Sequence, residues 1–288
     1  MPLYTTPEMV EVDYPPRDTN DDAPMLTYLF RNSSCLPEAF YLSMAAAHDK
    51  ENFTLYSAAC SNGAELYSVL AIAGPEPENR ISAVGFDINE SAIKSAKAGV
   101  FAVRRMLTPG SSDIETEEFE QASDTLAKAG FELRQANHVP ALGHTSMRYL
   151  VADGSDLRRT HNVRFLRHDL RKPLPASRSA DLILANNLLV HMEIKDAVDI
   201  LDNLADALAD TGVLSFGEAG LEVLDYDTER PYEGHYSSIV KNYLQRHYGL
   251  TPLFTKKGGQ PIMYARQATF DALAIDQPIS LLQHARLY

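Results

Sequence analysis

The stretch that decides the fold is residues 53–87, which begins FTLYSAACSNGAELYSVLAIAG and ends ISAVGFD. Residues 53–58 form a short apolar run that predicts a β-strand, and small residues then lead directly into a helical pattern at residues 64–73. A second apolar run at residues 81–86 predicts another strand. A strand, a helix and a strand in this order indicate parallel strands in a sheet that is covered on both faces.

The same alternation continues along the chain. Further helices are predicted at residues 90–98, 195–209 and about 237–248, and further strands at residues 163–166, 181–185 and 212–216. The last two strand candidates, residues 251–255 and 261–265, are joined so tightly that they must be antiparallel. We therefore predict an α/β fold with a mainly parallel sheet.

Composition divides the chain into four parts. Residues 1–25 are rich in Pro, Asp and Thr without a sustained period, which predicts an extended or disordered arm. Residues 26–50 predict a helical cap of two short helices, broken near residues 32–34. Residues 51–266 form the main domain, with an insertion at 101–162, and residues 267–288 are a C-terminal tail.

The insertion is far longer than the usual connection between such elements, and loops of that size tend to be functional. Residues 131–134 and 147–152 within it are candidates for a small hairpin. Apolar residues in the C-terminal tail need burial, either within the chain or against a second copy, and the latter makes a homodimer a further hypothesis.

Charge and composition limit the partners. The 288 residues include 26 basic and 39 acidic ones, a formal net charge of -13 that repels phosphates, so we expect no nucleic-acid partner. A basic cluster within residues 158–172 is interpreted as a solvated face. Two cysteines supply no disulfide framework, and we expect no metal. No apolar run approaches the roughly 20 residues that a bilayer requires, so we predict a cytoplasmic protein without a membrane partner.

The turn of residues 59–63 is the first candidate site, because open α/β sheets bind ligands at the carboxyl ends of their strands. Its small residues allow a ligand to approach the backbone closely. We expect the N–H groups at the start of the following helix to face the same space. Gly63 is the single glycine, so a GxGxxG dinucleotide fingerprint is absent, and a plain packing turn is the alternative.

Two carboxylates follow predicted strands. Asp87 comes 24 positions after Gly63, near the spacing at which a carboxylate accepts hydrogen bonds from ribose hydroxyls. The alternative is that Asp87 caps the helix that begins near Asn89. Asp169 follows the strand at 163–166, where its side chain could accept a hydrogen bond from an adenine amine, and the alternative is a turn residue.

Three polar side chains follow the strand at residues 181–185. Asn186 and Asn187 are adjacent amides that can both donate and accept hydrogen bonds. His191 can exchange a proton near neutral pH, which makes it a candidate general base, although a structural histidine is an equal alternative. All three are expected at the crevice outside the carboxyl ends of the strands.

Three segments together resemble the motifs of the CheR-type S-adenosylmethionine (SAM) methyltransferases, which methylate glutamates on chemotaxis receptors. They are residues 55–68 (LYSAACSNGAELYS), 86–101 (FDINESAIKSAKAGVF) and 187–192 (NLLVHM). Residues 27–31 (TYLFR) resemble the family's Thr-x-Phe-Phe-Arg segment, whose arginine reaches the bound SAM. The matches follow the expected order over roughly residues 26–220, which is more specific than any single motif.

The resemblance implies a class I methyltransferase (Rossmann-like) fold, with a seven-stranded sheet, a short N-terminal helical cap and an inserted lobe. SAM is the implied cofactor. By resemblance, its methionine part lies at Ala58, Ala59 and Glu65, its reacting end at Arg31, its ribose at Asp87, its adenine at Asp169 and Leu170, and Asn187 closes the site. Gly63 and Ile88 complete the expected cofactor-binding set.

The chain also departs from the family pattern. Asn186 stands where the family has Arg, and His191 stands where it has Tyr. Only some 25 residues precede the TYLFR segment, so we expect the family's receptor-facing helical domain to be missing. The insertion has no obvious match to the glycine-rich hairpin that docks receptor tails.

These departures and the negative charge favour a SAM-dependent methyltransferase that acts on a nitrogen or oxygen of a small molecule. His191 is the predicted base, and Asn186, Asn187 and Arg31 are predicted to position the substrate. A Tyr-rich stretch that includes Tyr243 is a candidate lid, with ordinary packing as its alternative. The other functions considered are a protein-glutamate O-methyltransferase of the chemotaxis type and a SAM-binding regulatory protein without turnover.

Overall fold

The computed structural model describes residues 29, 35–74, 81–104, 126–128, 130–136, 149–189, 192, 194–217, 235–255, 261–275 and 279–280. The helices in this part are α1 (Leu36–Ala46), α2 (Ala64–Ala73), α3 (Glu90–Ala98), α4 (Ser155–Thr160), α5 (Ile194–Ala207), α6 (His235–Tyr248) and α7 (Gln267–Leu273). The strands are β1 (Phe53–Ala58), β2 (Ile81–Asp87), β3 (Val100–Arg104), β4 (Glu132–Ala136), β5 (Tyr149–Asp153), β6 (Asn162–Arg167), β7 (Ala180–Leu184), β8 (Leu208–Ser215), β9 (Thr251–Thr255), β10 (Pro261–Ala265) and β11 (Ile279–Ser280).

The main sheet has the order β11-β9-β10-β8-β7-β1-β2-β6. Strands β6, β2, β1, β7 and β8 run parallel, and β10 is antiparallel to both of its neighbours, as the tight connection after β9 required. This arrangement confirms the predicted seven-stranded class I methyltransferase sheet, to which the two-residue β11 adds an edge. Helix α5 ends before the predicted residue 209, because Leu208 already pairs with Ala180 in the sheet.

Strand register places the candidate site residues at one edge. Ala58 pairs with Phe86 of β2, and Ser57 pairs with Leu184 of β7. Leu184 in turn pairs with Ser215 of β8. Because these strands are parallel and in step, the residues that follow each of them leave the sheet side by side.

The core lies in two layers, one on each face of the sheet. On β1, Phe53 and Leu55 belong to the layer under α1 and α2, whereas Tyr56 and Ala58 belong to the layer under α5 and α6. Strand β7 is buried at all five positions. A strand buried on both faces is mostly apolar, which is why β7 shows no alternation in the sequence, and its one charged residue, Asp181, is buried with hydrogen-bond partners.

The insertion forms a lobe around a three-stranded antiparallel sheet of order β3-β5-β4. Strands β4 and β5 pair as the predicted hairpin, and β3 adds a strand that the sequence did not indicate. Tyr67 of α2 anchors the lobe, since its ring packs on Phe101 with centroids 5.1 Å apart. A Cβ at Gly99 or Gly154 would lie 2.6 or 2.7 Å from atoms of Tyr67, so a side chain at either position would clash with the Tyr67 ring as it is placed.

Helices α1 and α7 lie next to each other on one face of the sheet. Helix α1 lies within the predicted helical cap, and the first of the two predicted cap helices and the arm of residues 1–25 lie outside the described residues. Helix α7 packs near α1, and its Phe270 is buried within the chain. Across the described helices, none combines the length and apolar character that a membrane crossing requires.

Candidate functional site

The turn between β1 and α2 is tightly wound. Ala59, Ser61 and Gly63 all have positive φ angles, of 55°, 50° and 82°. A Cβ at Gly63 would lie 3.0 Å from the ring of Phe165 and 3.1 Å from Ala96, so the turn also packs closely against β6 and α3. The small side chains of the turn therefore serve both its backbone shape and its packing.

Several N–H groups of this turn are bonded within the protein, and so is Ala64 N at the start of α2, which was expected to face a ligand. The donors and acceptors are Cys60 N to Phe86 O (2.8 Å), Ser61 N to Asp87 Oδ2 (2.8 Å), Gly63 N to Cys60 O (2.8 Å) and Ala64 N to Asn62 Oδ1 (3.0 Å). These bonds hold the turn in place without a ligand. A ligand at this position must therefore be recognised mainly through side chains and close backbone approach.

Asp87 connects the turn to the next helix. Its Oδ2 accepts from Ser61 N, and its Oδ1 accepts from Asn89 N at 2.9 Å. The helix cap itself is Asn89, whose Oδ1 accepts from Ala92 N at 2.9 Å. The alternative that Asp87 caps α3 is therefore wrong, and each carboxylate oxygen of Asp87 keeps a further lone pair for a ligand.

A cavity of about 170 Å³ opens beside Asp87 at the carboxyl ends of the strands. It is lined by Ala59, Asp87, Ile88, His168, Asp169, Leu170, Arg171, Leu188, Met192, Asp196 and Ile200. Ile88 is 56% exposed there, although it is a large apolar residue. Apolar walls with carboxylates at their edges match the chemistry of an adenosine group, which has flat apolar faces and a rim of hydroxyl and amine donors. The residues present therefore fit the adenosine part of SAM.

Asp169 lines this cavity as predicted, but it is also engaged by a cation. Arg171 donates to both of its carboxylate oxygens, from Nε and Nη2 at 2.9 Å each. The same guanidinium lies 3.5 Å from Asp196 of α5. The hydrogen bond from Arg171 holds the pKa of Asp169 at about 2, below its ordinary value of 3.8. Sequence reasoning missed Arg171 and Asp196, because only the packing of α5 brings Asp196 to this pair.

A second cluster lies across the ends of β1, β7 and β8. The carboxylate of Glu65, in the first turn of α2, accepts from Asn186 Nδ2 and, at 3.5 Å, from Ser57 Oγ. Ser215 Oγ in turn donates to Asn186 Oδ1 at 3.4 Å. The structure thus brings together Glu65 and Asn186, two of the predicted site residues, in one hydrogen-bonded chain.

The remaining predicted residues divide into those that the structure places and those outside the described part. Asn187 adopts a positive φ of 55° immediately beyond Asn186, and the following Leu188 lines the cavity. Ala58 is buried directly before the turn. Arg31 and His191 lie outside the described residues.

Cys60 lies buried under the turn and does not act as a ready nucleophile. Burial, together with the nearby carboxylates of Asp87 and Glu65, raises the pKa of its thiol well above the ordinary value. The reactive thiolate is therefore scarce at neutral pH.

Residues 25–135 match the family described as CheR methyltransferase, SAM binding domain. The resemblance seen in the motifs is thereby confirmed, over less than half of the chain. Residues 25–135 thus resemble the SAM-binding domain of methyltransferases, within a chain that has the mainly parallel sheet described above. None of the curated proteins matches the chain.

Among solved structures, the chain resembles a candidate class I SAM-dependent methyltransferase from Listeria monocytogenes, at 12% identity over 81% of this chain and 59% of that one, with a TM-score of 0.46. PKMT2 from Rickettsia typhi in complex with AdoHcy matches at 13% identity over 67% of this chain and 26% of that one, with a TM-score of 0.36. PH0226 protein from Pyrococcus horikoshii OT3 matches at 14% identity over 65% and 57%, with a TM-score of 0.33. The chain thus spans between 26% and 59% of the length of these proteins.

Proposed function

We propose that this protein transfers the methyl group of SAM to a nitrogen or oxygen atom of a small-molecule nucleophile. The observation that carries the SAM part of the proposal is the cavity at the strand ends, where Asp87 at the end of β2 and the following Ile88 meet Leu170 and Leu188. SAM, when bound, supplies a methyl group activated on a sulfonium. The protein's task is to hold a nucleophile in line and to accept a proton where the acceptor atom carries one.

Each cavity residue has a role in this proposal. Asp87 accepts hydrogen bonds from the ribose hydroxyls with the lone pairs that Ser61 and Asn89 leave. Ile88 and Leu170 pack on the adenine faces, and Asp169 accepts from the adenine amine. Ionised Asp169 suits this role, because its lowered pKa keeps it an acceptor throughout the neutral range.

The negative charge favours a small acceptor. A net charge of -13 repels acidic macromolecules at long range, and chains rich in glutamate are among these. The match to the CheR domain favours a second candidate, O-methylation of glutamate side chains on a protein. The Tyr-rich candidate lid does not help to distinguish a small-molecule from a protein substrate. Its Tyr243 donates a hydrogen bond to Asp202 of α5 at 2.5 Å and packs on the core.

The deciding experiment follows the methyl group. The purified protein is incubated with methyl-labelled SAM and a cell extract, which is then separated into macromolecular and small-molecule fractions. We expect the label among the small molecules. Label in protein that is released by mild base, as carboxyl methyl esters are, would instead establish the second candidate. SAM binding without label in either fraction would indicate a regulatory protein.

The proposed base is tested separately. We expect His191→Ala to lower turnover at saturating substrate by about 10²-fold to 10⁴-fold, the usual contribution of a general base, with SAM binding retained. His191→Gln is the companion variant, since it retains hydrogen bonding but cannot take up a proton near neutral pH. Unchanged turnover in His191→Ala would mean that the histidine is not the base.

A further inference from the structure

We infer that Asn186 is a positioning residue for the cofactor, which acts by holding the carboxylate of Glu65 toward the methionine ammonium of SAM. The inference deepens the proposed function and rests on it, because it takes the methionine end of SAM to lie at Glu65. It also changes the expected role of Asn186, which the sequence placed against the substrate.

The orientation of the Asn186 amide is set by its neighbours. Ser215 Oγ donates to Asn186 Oδ1, so the amide nitrogen is the atom that faces Glu65. Asn186 is only 9% exposed, and Ser57 and Ser215 are buried. Both ends of the amide are therefore used inside the protein, which leaves it poorly placed to hold a substrate.

Gly217 confines the same side chain from beyond β8. A Cβ at Gly217 would lie 2.7 Å from Asn186 Oδ1 and 3.0 Å from the Cβ of Asn186, and Gly217 has a φ of 69°. The side-chain amide of Asn186 can therefore occupy this position only because Gly217 has no side chain. The amide in turn has little room to turn away from Glu65.

Two strands hold Glu65 at once. Ser57 donates to Oε2 from β1, and Asn186 donates to Oε1 from the segment after β7. Fixing both oxygens restricts the carboxylate to one orientation, so less side-chain entropy is lost when a cation binds. Asn186 is also neutral, so its hydrogen bond holds the carboxylate without offsetting its charge, as an arginine at this position would.

Comparing the binding of two ligands distinguishes the positioning role of Asn186 from a general contribution of Asn186 to the fold. S-adenosylhomocysteine (SAH) carries the amino-acid group, and 5′-methylthioadenosine (MTA) shares the adenosine and sulfur but lacks that group. We expect Asn186→Leu, which removes the amide donor without adding a charge, to weaken SAH binding about tenfold and to leave MTA binding within about twofold, measured by calorimetry. Ser215→Ala, which only removes the group that orients the amide, is expected to give a smaller loss of the same pattern.

The control for loss of an amide is Asn162→Leu, at the exposed start of β6, which should change neither affinity. Equal weakening of SAH and MTA in Asn186→Leu, or no weakening of SAH, would overturn the inference. Should Asn186→Leu fail to fold, Ser215→Ala decides between the same outcomes.

Glu65→Gln separates failure of the inference from failure of the proposed site. If Glu65→Gln weakens SAH selectively while the Asn186 and Ser215 variants do not, only the positioning role of Asn186 is wrong. If Glu65→Gln leaves SAH binding unchanged, the proposed placement of the methionine group is wrong. Absence of SAH binding to the unmodified protein would contradict the proposed function itself.

Discussion

Asp87 illustrates at the scale of one residue how a carboxylate serves both the fold and the site. Its two oxygens join the turn after β1 to the start of α3, through Ser61 N and Asn89 N. The same residue lines the cavity in which we place the ribose. Loss of the carboxylate should therefore affect stability and cofactor binding together.

We predict that Asp87→Asn lowers the free energy of unfolding by about 1–2 kcal/mol, because its NH₂ group must face one of two backbone N–H donors. SAH affinity should fall at least about tenfold, as a charged acceptor becomes a neutral one. Urea unfolding and calorimetry measure the two effects. Asp210→Asn, on the exposed end of the Arg178 ion pair, is the matched control, and unchanged SAH affinity in Asp87→Asn would argue against the ribose role.

Asp169 provides a prediction that depends on pH. Its folded-state pKa of about 2 lies below the ordinary 3.8, so the pair with Arg171 stabilises the fold above pH 3.8 and loses this contribution as the pH falls toward 2. Because the pair is solvent-exposed, water and salt screen this contribution. In Arg171→Gln we expect the pKa of Asp169 to rise toward 3.8, as followed by NMR titration. Arg178→Gln should leave it unchanged, and a value still near 2 in Arg171→Gln would exclude Arg171 as the cause.

At the scale of elements, Tyr67 joins helix α2 to the inserted lobe. Its ring also stacks on Phe165 of β6 at 5.8 Å, and its hydroxyl donates to Ala96 O at 3.2 Å. One side chain thus packs against α3, β6 and the lobe. This arrangement explains why a lobe with a sheet of its own stays attached to the main domain.

We expect Tyr67→Leu to lower the free energy of unfolding by about 2–4 kcal/mol, because it leaves a cavity among several aromatic rings. Tyr67→Phe keeps the ring and loses one hydrogen bond, which should cost about 1 kcal/mol. Urea unfolding monitored by circular dichroism measures both. Equal losses in the two variants would mean that the hydroxyl, and not the packing of the ring, carries the effect.

Two ion pairs between elements allow a buried carboxylate to be compared with an exposed one. Asp181 of β7 is buried and accepts from Lys50 Nζ and, at 2.8 Å, from Thr54 N. We predict that Asp181→Ala costs about 1–3 kcal/mol of unfolding free energy, because it leaves Thr54 N without its acceptor and removes the buried partner of Lys50. Asp210→Ala, whose carboxylate is 60% exposed, should cost less than about 0.5 kcal/mol. Similar values in thermal or urea unfolding would contradict this ranking.

At the scale of the whole molecule, both faces of the main sheet are covered by core. The ligand site therefore lies at the ends of the strands. Ligand binding there should stabilise the whole domain, since the site draws on β1, β2, β7 and the helices that follow them. Three carboxylates line this cavity in a protein with a net charge of -13. We therefore expect the site to favour cationic over anionic ligands. Phe270, one of the residues whose burial suggested a dimer, is already buried within the chain.

We predict that SAH at 100 times its Kd stabilises the fold by about 2.7 kcal/mol and raises the Tm by about 5–10 °C. ATP at the same concentration should raise the Tm by less than about 1 °C, because its phosphates meet Asp87, Asp169 and Asp196. Differential scanning fluorimetry measures both shifts. An ATP shift equal to that of SAH would show that the site does not select against phosphate.

The sequence alone predicted the seven longer strands of the main sheet, the parallel direction of most of them and the edge at which Asp87, Asp169, Asn186 and Asn187 lie. It could do so because apolar periodicity is local, and the residues that follow parallel strands must emerge at a common edge. Only the tertiary structure decided what those side chains contact. Asn186 and Glu65 are 121 positions apart, and their hydrogen bond depends on strand register and on the space that Gly217 leaves. The Arg171–Asp196 contact depends in the same way on how α5 packs. Contacts between distant residues require the backbone to be placed to within a fraction of an ångström, and no local pattern in the chain specifies that placement.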